Sequence, residues 1–369
     1  MIRFLQNLSM QSRIGIYIFG TGKIAVDLTT TLQMVGIRID GYFDNGYPDG
    51  GEHNELLILP ILRLEEQPRE STYIIIGSGH EWEIKRQLIN LGFPHLIFPS
   101  QLAMRRNLEY EKLIFPTRQN PEVSVLLTTA YNNWNIVYNC LKSLLENENE
   151  CSIEIILGWN CPPDNGIMAR KYLDGVRIIC HSENRNYLGN LNAIAKEASG
   201  EYLLLLSDDT LFTKKHYIDT VLSLIKRDKK IGMASGKLWV PYKRKYDTHS
   251  VYTTPTTCKE VELKQETEVE NMWPVAAVIR RSLWEEIRGL DPIYLPVYYE
   301  DVDFEMKLLS KGYSMVATPD AEMIHYGGGT YKMGGKDPKV IRNQKIFLSR
   351  WEEYIKKRIE QRSESMICH

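Results

Sequence analysis

Leu203-Leu204-Leu205-Leu206-Ser207-Asp208-Asp209-Thr210 is the stretch from which the rest of the chain is read. A short run of four leucines suits a strand buried on both faces, as in a parallel sheet covered by helices on each side. Two carboxylates then fall at the strand's carboxyl end, where open α/β sheets hold their ligands. Adjacent aspartates repel, so a cation or a solvated turn has to offset them. Magnesium and manganese take oxygen ligands, commonly one or two carboxylates plus substrate phosphates. Spacing alone leaves a second reading open, an acidic turn in which Asp209 caps the helix that follows.

Outward from this strand the sequence alternates apolar strands with helical patterns. Upstream lie strand Val123–Leu127, helix Asn133–Leu145, strands Ile153–Leu157 and Val176–Ile179, and helix Leu188–Ala198. Downstream come helix Tyr217–Lys226, an irregular Thr-rich and charged insert at Lys237–Glu270, strand Trp273–Ile279 and helix Ser282–Ile287. Helix Asp301–Lys311, strand Ser314–Ala317 and a mixed-charge helix from Val340 to Arg362 complete the pattern. The first hundred residues show the same alternation, with strands Ile14–Phe19, Ile37–Phe43, Tyr73–Ile76 and Leu96–Phe98 and helices Lys23–Met34 and His80–Leu91. Such alternation predicts parallel sheets. Charges, Pro116 and Pro121 break the periodicity between Gln101 and Asn120. The expected organisation is a Rossmann-like domain at 1–110, a linker at 111–121, a second α/β domain at 122–335 and a C-terminal helix at 336–369.

Composition narrows the function classes. A chain of 369 residues accommodates about two domains, and 43% hydrophobic with 25% charged residues is ordinary for globular proteins. A net charge of -2 gives no overall pull toward nucleic acid, so no nucleic-acid partner is expected. No stretch approaches the roughly 20 apolar residues that cross a bilayer, and the N-terminus lacks the pattern of a secretory signal. Cys140, Cys151, Cys161, Cys180, Cys258 and Cys368 are scattered without a C-x-x-C pair, which argues against a zinc module and a disulfide scaffold. A cytoplasmic location follows. Ile346, Phe347, Trp351 and Tyr354 lie among Lys and Arg in the C-terminal helix. That helix fits either contact with anionic lipid at the inner membrane face or packing on its own domain, the latter preferred.

Two further features carry chemistry. Tyr298-Tyr299-Glu300-Asp301-Val302-Asp303-Phe304-Glu305 opens a helix, where the dipole favours carboxylates, so a solvated helix start accounts for it without a site. Asp301 and Glu305 share a face at i, i+4 and repel mildly. A carboxylate beside a cleft can also deprotonate a hydroxyl. His325 follows a strand and precedes Gly327-Gly328-Gly329; a lone histidine is more often structural than a ligand.

Taken together, these stretches resemble the inverting glycosyltransferase family 2, rhamnosyltransferase-like, from about Val123 to Tyr331. Val123–Asn132 is similar to that family's opening strand and T-Y-N turn, and Glu183–Ala193 to its stretch beside the donor nucleotide. Gly200–Thr210 resembles the G-E-Y-[apolar]-D-x-D segment, with Ser207 in place of the first aspartate. Trp273–Ile279 occupies the apolar strand on the acceptor side. Gly289-Leu290-Asp291 and Tyr299–Asp303 are similar to the G-F-D…E-D-x-D run.

The resemblance implies a GT-A-type nucleotide-diphospho-sugar transferase fold preceded by a small Rossmann-like α/β domain. It implies transfer from a nucleotide-diphosphate sugar to a hydroxyl of a glycan or lipid-linked oligosaccharide, with Mg or Mn as cofactor, in bacterial surface polysaccharide synthesis. Asp209 takes the metal-binding position, with His325 as a further metal or diphosphate contact. Asp301 takes the position of the general base, with Glu300 orienting it. Thr129, Tyr131, Asn160, Asn184, Gly189, Asn192 and Asp208 fall on the donor side. Where the family usually carries an aspartate that reads the nucleobase, this chain has Trp159, so recognition is expected from Asn160 or from stacking on Trp159. Gly20-Thr21-Gly22 after an apolar strand, with Asp44 further on, resembles a dinucleotide fingerprint. It also resembles the small domains that precede some sugar-modifying acyltransferases, as do Asp44-Asn45-Gly46 and Gly77-Ser78-Gly79. An NAD-dependent oxidoreductase, a non-catalytic nucleotide-sugar-binding protein, and a docking or homo-oligomerisation role for the first domain stay open as alternatives.

Overall fold

The structure is a computed structural model that describes every residue except 1–4, 6, 7, 35, 54, 55, 79, 99–109, 132, 163, 241–244, 248, 273, 327–336, 368 and 369. Apart from residues 241–244, the chain divides into two compact units at the junction of residues 109 and 110.

In the first unit, six strands form one sheet in the order Gly51–His53, Leu56–Leu59, Gly41–Phe43, Gly15–Phe19, Thr72–Ile76, His95–Ile97. All neighbours run parallel except Gly51–His53, which is antiparallel to Leu56–Leu59. Alternation along the strands sends Ile16, Ile18, Tyr42 and Ile75 into one buried layer and Phe19, Phe43, Ile74 and Ile76 into the other. The strand expected over Ile37–Phe43 is confined to Gly41–Phe43. The Gly51–His53 and Leu56–Leu59 pair was not anticipated, because three or four residues carry too little periodicity to register.

The second unit is built on a ten-stranded mixed sheet. Val176–His181, Ile153–Asn160, Val123–Ala130 and Tyr202–Ser207 run parallel. Ala276–Arg280 then pairs antiparallel with the four-leucine strand, and Ile231–Val240, Ser314–His325 and Thr210–Phe212 follow. As predicted, the leucines are buried on both faces, each at most 1% exposed. Leu204 and Leu206 face helices Trp134–Leu145 and Tyr217–Arg227, whereas Leu203 and Leu205 face helix Asn186–Ala195 and the layer containing Trp284, Phe304 and Phe347. At about 1.5–3 kcal/mol for each fully buried leucine, this strand anchors the sheet.

Two expectations change in this unit, and a third, the packing of the C-terminal helix on its own domain, is met. Part of the expected linker is built into the domain: Leu113–Ile114 pairs with Leu173–Asp174, and Leu113 and Phe115 join the core. The irregular insert contains ordered pairs, notably Ser250–Thr254 with Thr257–Glu260. The C-terminal helix spans Pro338–Ile367 and buries Phe347 and Ile355 in the core, so it packs on its own domain. Among the described residues no helix is long and apolar enough to cross a membrane.

Candidate active site

The four-leucine strand ends at Ser207, Asp208-Asp209 form a turn, and a new strand begins at Thr210. Thr210 pairs with His325, the last residue of the Ser314–His325 strand. That register brings His325 Nε2 to 3.5 Å from Asp209 Oδ1, while the Asp209 carbonyl accepts the Tyr326 N–H at 2.9 Å. Asp209 therefore does not cap a helix; the next one starts at Tyr217, with His216 at its cap position.

Both carboxylates are buried, Asp208 at 7% and Asp209 at 8% exposure. Thr129 Oγ1 donates to Asp208 Oδ2 at 2.5 Å, and Asn133 Nδ2 donates to the same oxygen at 3.3 Å. Burial and the charge of Asp209 nonetheless push the Asp208 carboxyl up to about 7. Two adjacent buried carboxylates thus share one turn, with the His325 imidazole beside Asp209. Among the described residues no three His, Cys, Asp or Glu side chains are arranged to hold a metal unaided. Two hard carboxylates beside an imidazole fit Mg or Mn, which leave coordination positions to water and phosphate, better than they fit a closed zinc site.

These residues line a cavity together with Thr129, Asn160 and Asn184. A network of amides shapes the wall. Asn160 Nδ2 donates to Asn184 Oδ1 at 3.1 Å and to the Asn186 carbonyl at 3.2 Å, and Asn184 Nδ2 donates to the Tyr131 hydroxyl at 2.8 Å. Tyr131 is half exposed and has φ of 54°, a backbone state costing on the order of 1–3 kcal/mol for such a residue. Its carbonyl accepts the Trp159 indole N–H at 2.8 Å, and its N–H donates to the Asn160 carbonyl at 2.8 Å. Trp159 itself is 1% exposed and stacked against Trp134 with ring centroids 6.4 Å apart. Stacking of a base on Trp159 is thereby excluded, since its ring is part of the core.

Gly189 and Asn192 do not line this cavity. Asn192 instead exchanges two hydrogen bonds with Leu290, donating at 2.7 Å and accepting at 3.0 Å. Sequence reading missed Asn190, Tyr187, Pro296 and Val297, which do line it. Asn190 is fully buried and donates to the Gly158 carbonyl at 2.9 Å; a Cβ on Gly158 would sit 2.1 Å from its Oδ1. A glycine at the end of an apolar strand was the available signal for that close approach.

The acidic helix Glu300–Ser310 is not the solvated start that its dipole alone would explain: Glu300, Asp303 and Glu305 are buried. Asp303 is answered by Lys307 Nζ at 2.7 Å, Trp351 Nε1 at 2.8 Å and Tyr294 Oη at 2.9 Å. Glu300 has no such cation among the described residues, and burial with the Asp301 charge pushes its carboxyl up to about 8. Burial, then Asp301, likewise holds Glu305 well above the usual carboxylate range. Asp301 is half-buried, accepts the Val302 N–H at 2.9 Å and is raised chiefly by burial. Glu300 and Asp301 are not themselves in the cavity lining. Tyr187 does line it, and burial, then the charges of Glu300 and Asp301, raise its hydroxyl.

In the first unit, Asp44 Oδ2 accepts the Thr21 N–H at 2.8 Å and the Thr21 hydroxyl at 2.7 Å, while Oδ1 accepts the Gly46 N–H at 2.8 Å. Gly20, with φ of +105°, approaches the Gly77 backbone. Oδ2 thus ties Asp44 to the Gly20–Gly22 turn, and Oδ1 closes the Asp44–Gly46 turn. Gly79 lies outside the described residues, as do Asn132, Trp273, Gly327–Gly329 and Cys368. Cys140, Cys151, Cys161, Cys180 and Cys258 are free thiols.

Residues 125–288 match the Glycosyl transferase family 2 model. Apart from residues 241–244, the matched residues belong to the second unit. Its matched span includes Asp208 and Asp209 and ends before Glu300 and Asp301. The fold is the GT-A nucleotide-sugar transferase fold: the crystal structure of GalNAc-T7 with UDP, GalNAc and Mn2+ covers 66% of this chain and 50% of its own, at 14% identity and a TM-score of 0.52. An uncharacterized protein, y4gI of Sinorhizobium fredii, is 23% identical over 238 residues, 58% of this chain. The O-antigen biosynthesis protein RfbC of Myxococcus xanthus is 22% identical over 229 residues, also 58% of the chain. The chain spans only 25% and 18% of the lengths of these two relatives.

Proposed function

We propose that this chain is an inverting, metal-dependent glycosyltransferase that moves a sugar from a nucleoside-diphosphate donor to a hydroxyl of a glycan or lipid-linked oligosaccharide. The observation that carries the reading is the buried Asp208–Asp209 pair, which lines one cavity with His325 in the unit that matches the family 2 model. Mg or Mn would be held by Asp209 with Asp208 and His325 beside it, and when bound would stabilise the charge of the departing diphosphate. The crystal structure of GalNAc-T7 with UDP, GalNAc and Mn2+, a protein of the same fold, supports this assignment.

On this reading Tyr131, Asn160 and Asn184 hold the nucleotide, the exposed Tyr131 ring taking the stacking role that buried Trp159 cannot. Asp301 receives the acceptor's proton. Its raised carboxyl is a stronger base than a solvated aspartate, and a neighbouring Glu300 that keeps its proton to about 8 leaves Asp301 as the carboxylate of the pair. Attack opposite the diphosphate inverts the anomeric centre. The name of the RfbC relative supports surface polysaccharide as the setting, with work at the inner membrane face and self-association of the chain as parts of the same proposal.

The reading is tested by mixing the chain with UDP-, GDP- and dTDP-sugars and Mn2+ and following donor cleavage and transfer. Activity that Asp301→Ala abolishes while Asp301→Glu retains a part supports the base assignment. Transfer by Asp301→Ala at the wild-type rate would remove it.

A further inference from the structure

The segment between Asp291 and Glu300 holds two apolar residues of the cavity wall, Pro296 and Val297, and leads into the helix bearing Glu300 and Asp301. Tyr298 and Tyr299 have φ of 68° and 76°, consecutive left-handed positions that bulky side chains rarely adopt. Such a backbone persists only where its surroundings over-determine it. The surroundings here come from the far end of the chain. Asn343, fully buried in the C-terminal helix Pro338–Ile367, directs its Nδ2 at three carbonyls of this segment: Tyr294 at 2.6 Å, Val297 at 2.9 Å and Tyr298 at 3.1 Å.

The same face of that helix adds further ties. Arg342 donates to the Ile293 carbonyl at 2.8 Å, and the Phe347 ring lies 5.5 Å from that of Tyr299. Arg350 Nη1 donates to Asp291 at 2.8 Å and to Asp303 at 3.2 Å, and Trp351 Nε1 reaches Asp303 at 2.8 Å. Contacts therefore flank the strained turn on both sides, and only Asn343 reaches its interior carbonyls among the described residues.

We infer that the C-terminal helix is a latch that positions the catalytic turn, and that Asn343 is its central positioning residue. Asn343 does not line the cavity. It sets where Pro296 and Val297 wall the cavity and where the helix carrying Asp301 begins. The inference deepens the transferase reading above and rests on it for its kinetic consequence, though not for the latch itself. An amide is required because its two N–H groups serve several carbonyls at once; aspartate has the same shape and no donor, and glutamine keeps the donor on a longer arm.

The test compares full-length wild type, Asn343→Ala, Asn343→Asp and Asn343→Gln, with Lys345→Ala, an exposed site on the same helix, as control. Hydrogen exchange at residues 295–302, Kd for UDP, GDP and dTDP with Mn2+, and kcat and KM for the matching sugar nucleotide are measured. For Asn343→Ala and Asn343→Asp, exchange in that segment rises roughly tenfold or more, as for a locally opened unit. Their kcat falls on the order of tenfold to a hundredfold, the scale of a misplaced catalytic group, while the Kd for nucleoside diphosphate changes by less than about threefold. Asn343→Gln recovers part of both. Unchanged exchange at 295–302, or kcat and Kd falling together by the same factor, would overturn the inference. A wild-type chain that binds none of the three nucleoside diphosphates defeats the transferase reading separately, and the exchange comparison still decides the latch.

Discussion

Each unit places aspartate at the carboxyl end of a buried parallel strand, and the two addresses behave differently. Asp44 follows Gly41–Phe43 and meets a backbone N–H and a hydroxyl from Thr21 and a backbone N–H from Gly46, so its charge is answered locally. Asp208 and Asp209 follow Tyr202–Ser207, stand beside each other in a buried turn, and leave Asp208 raised to about 7 despite two donors. Position in an α/β sheet is shared; the donors around the carboxylate decide whether it builds the turn or waits for a ligand.

Exchanging side chains at the two addresses breaks this comparison most directly. Asp209→Ala is expected to lower sugar transfer by at least about a hundredfold, on the scale of removing one electrostatic stabiliser from an active site, with little loss of fold. A transfer assay alongside a thermal melt checks both halves. Asp44→Ala is expected to do the reverse: it orphans the Thr21 and Gly46 donors and destabilises the first unit by about 1–3 kcal/mol. Nucleoside-diphosphate binding should stay unchanged, and urea melts with binding titrations would reveal any departure.

Glu300 sharpens the contrast between an answered carboxylate and an unanswered one. Its carboxyl lies at about 8 in the fold against an ordinary 4.5, so the folded state prefers the proton. Its contribution to stability is complete below about 4.5, declines as pH rises toward about 8, and is gone above that. Glu300→Gln should flatten this part of a stability–pH curve recorded without metal; a curve identical to wild type would contradict the burial argument. The smallest effect expected is that of Trp159→Phe. It keeps the aromatic core and loses the indole N–H to the Tyr131 carbonyl, at about 1 kcal/mol, weakening nucleotide binding a few-fold through Tyr131. A calorimetric titration reads this change.

Much of the second unit was legible because its strands are long and its chemistry is local. Leu203–Leu206 announces a two-faced strand, and Asp208-Asp209 stands immediately after it. Signals that depend on distant chain were not legible. The acidic start of helix Glu300–Ser310 reads as solvated until Arg350 and Trp351 are seen to reach Asp303 from the C-terminal helix. Trp159 reads as a stacking surface until Trp134 is found against it. The spacing from Gly20-Thr21-Gly22 to Asp44 does not reveal that Thr21 folds back onto that carboxylate. Asn343 carries no local signal, since its partners lie 45, 46 and 49 positions away.

The central claim is that the Asp208–Asp209 turn holds a divalent cation together with a nucleoside diphosphate. Electron paramagnetic resonance of Mn2+ titrated with the chain, with and without UDP, GDP or dTDP, tests it most directly. A cation held there gives a loss of the free-Mn2+ signal that strengthens when one nucleoside diphosphate is added and disappears in Asp209→Ala. Undiminished Mn2+ binding by Asp209→Ala in the presence of that nucleotide would contradict it.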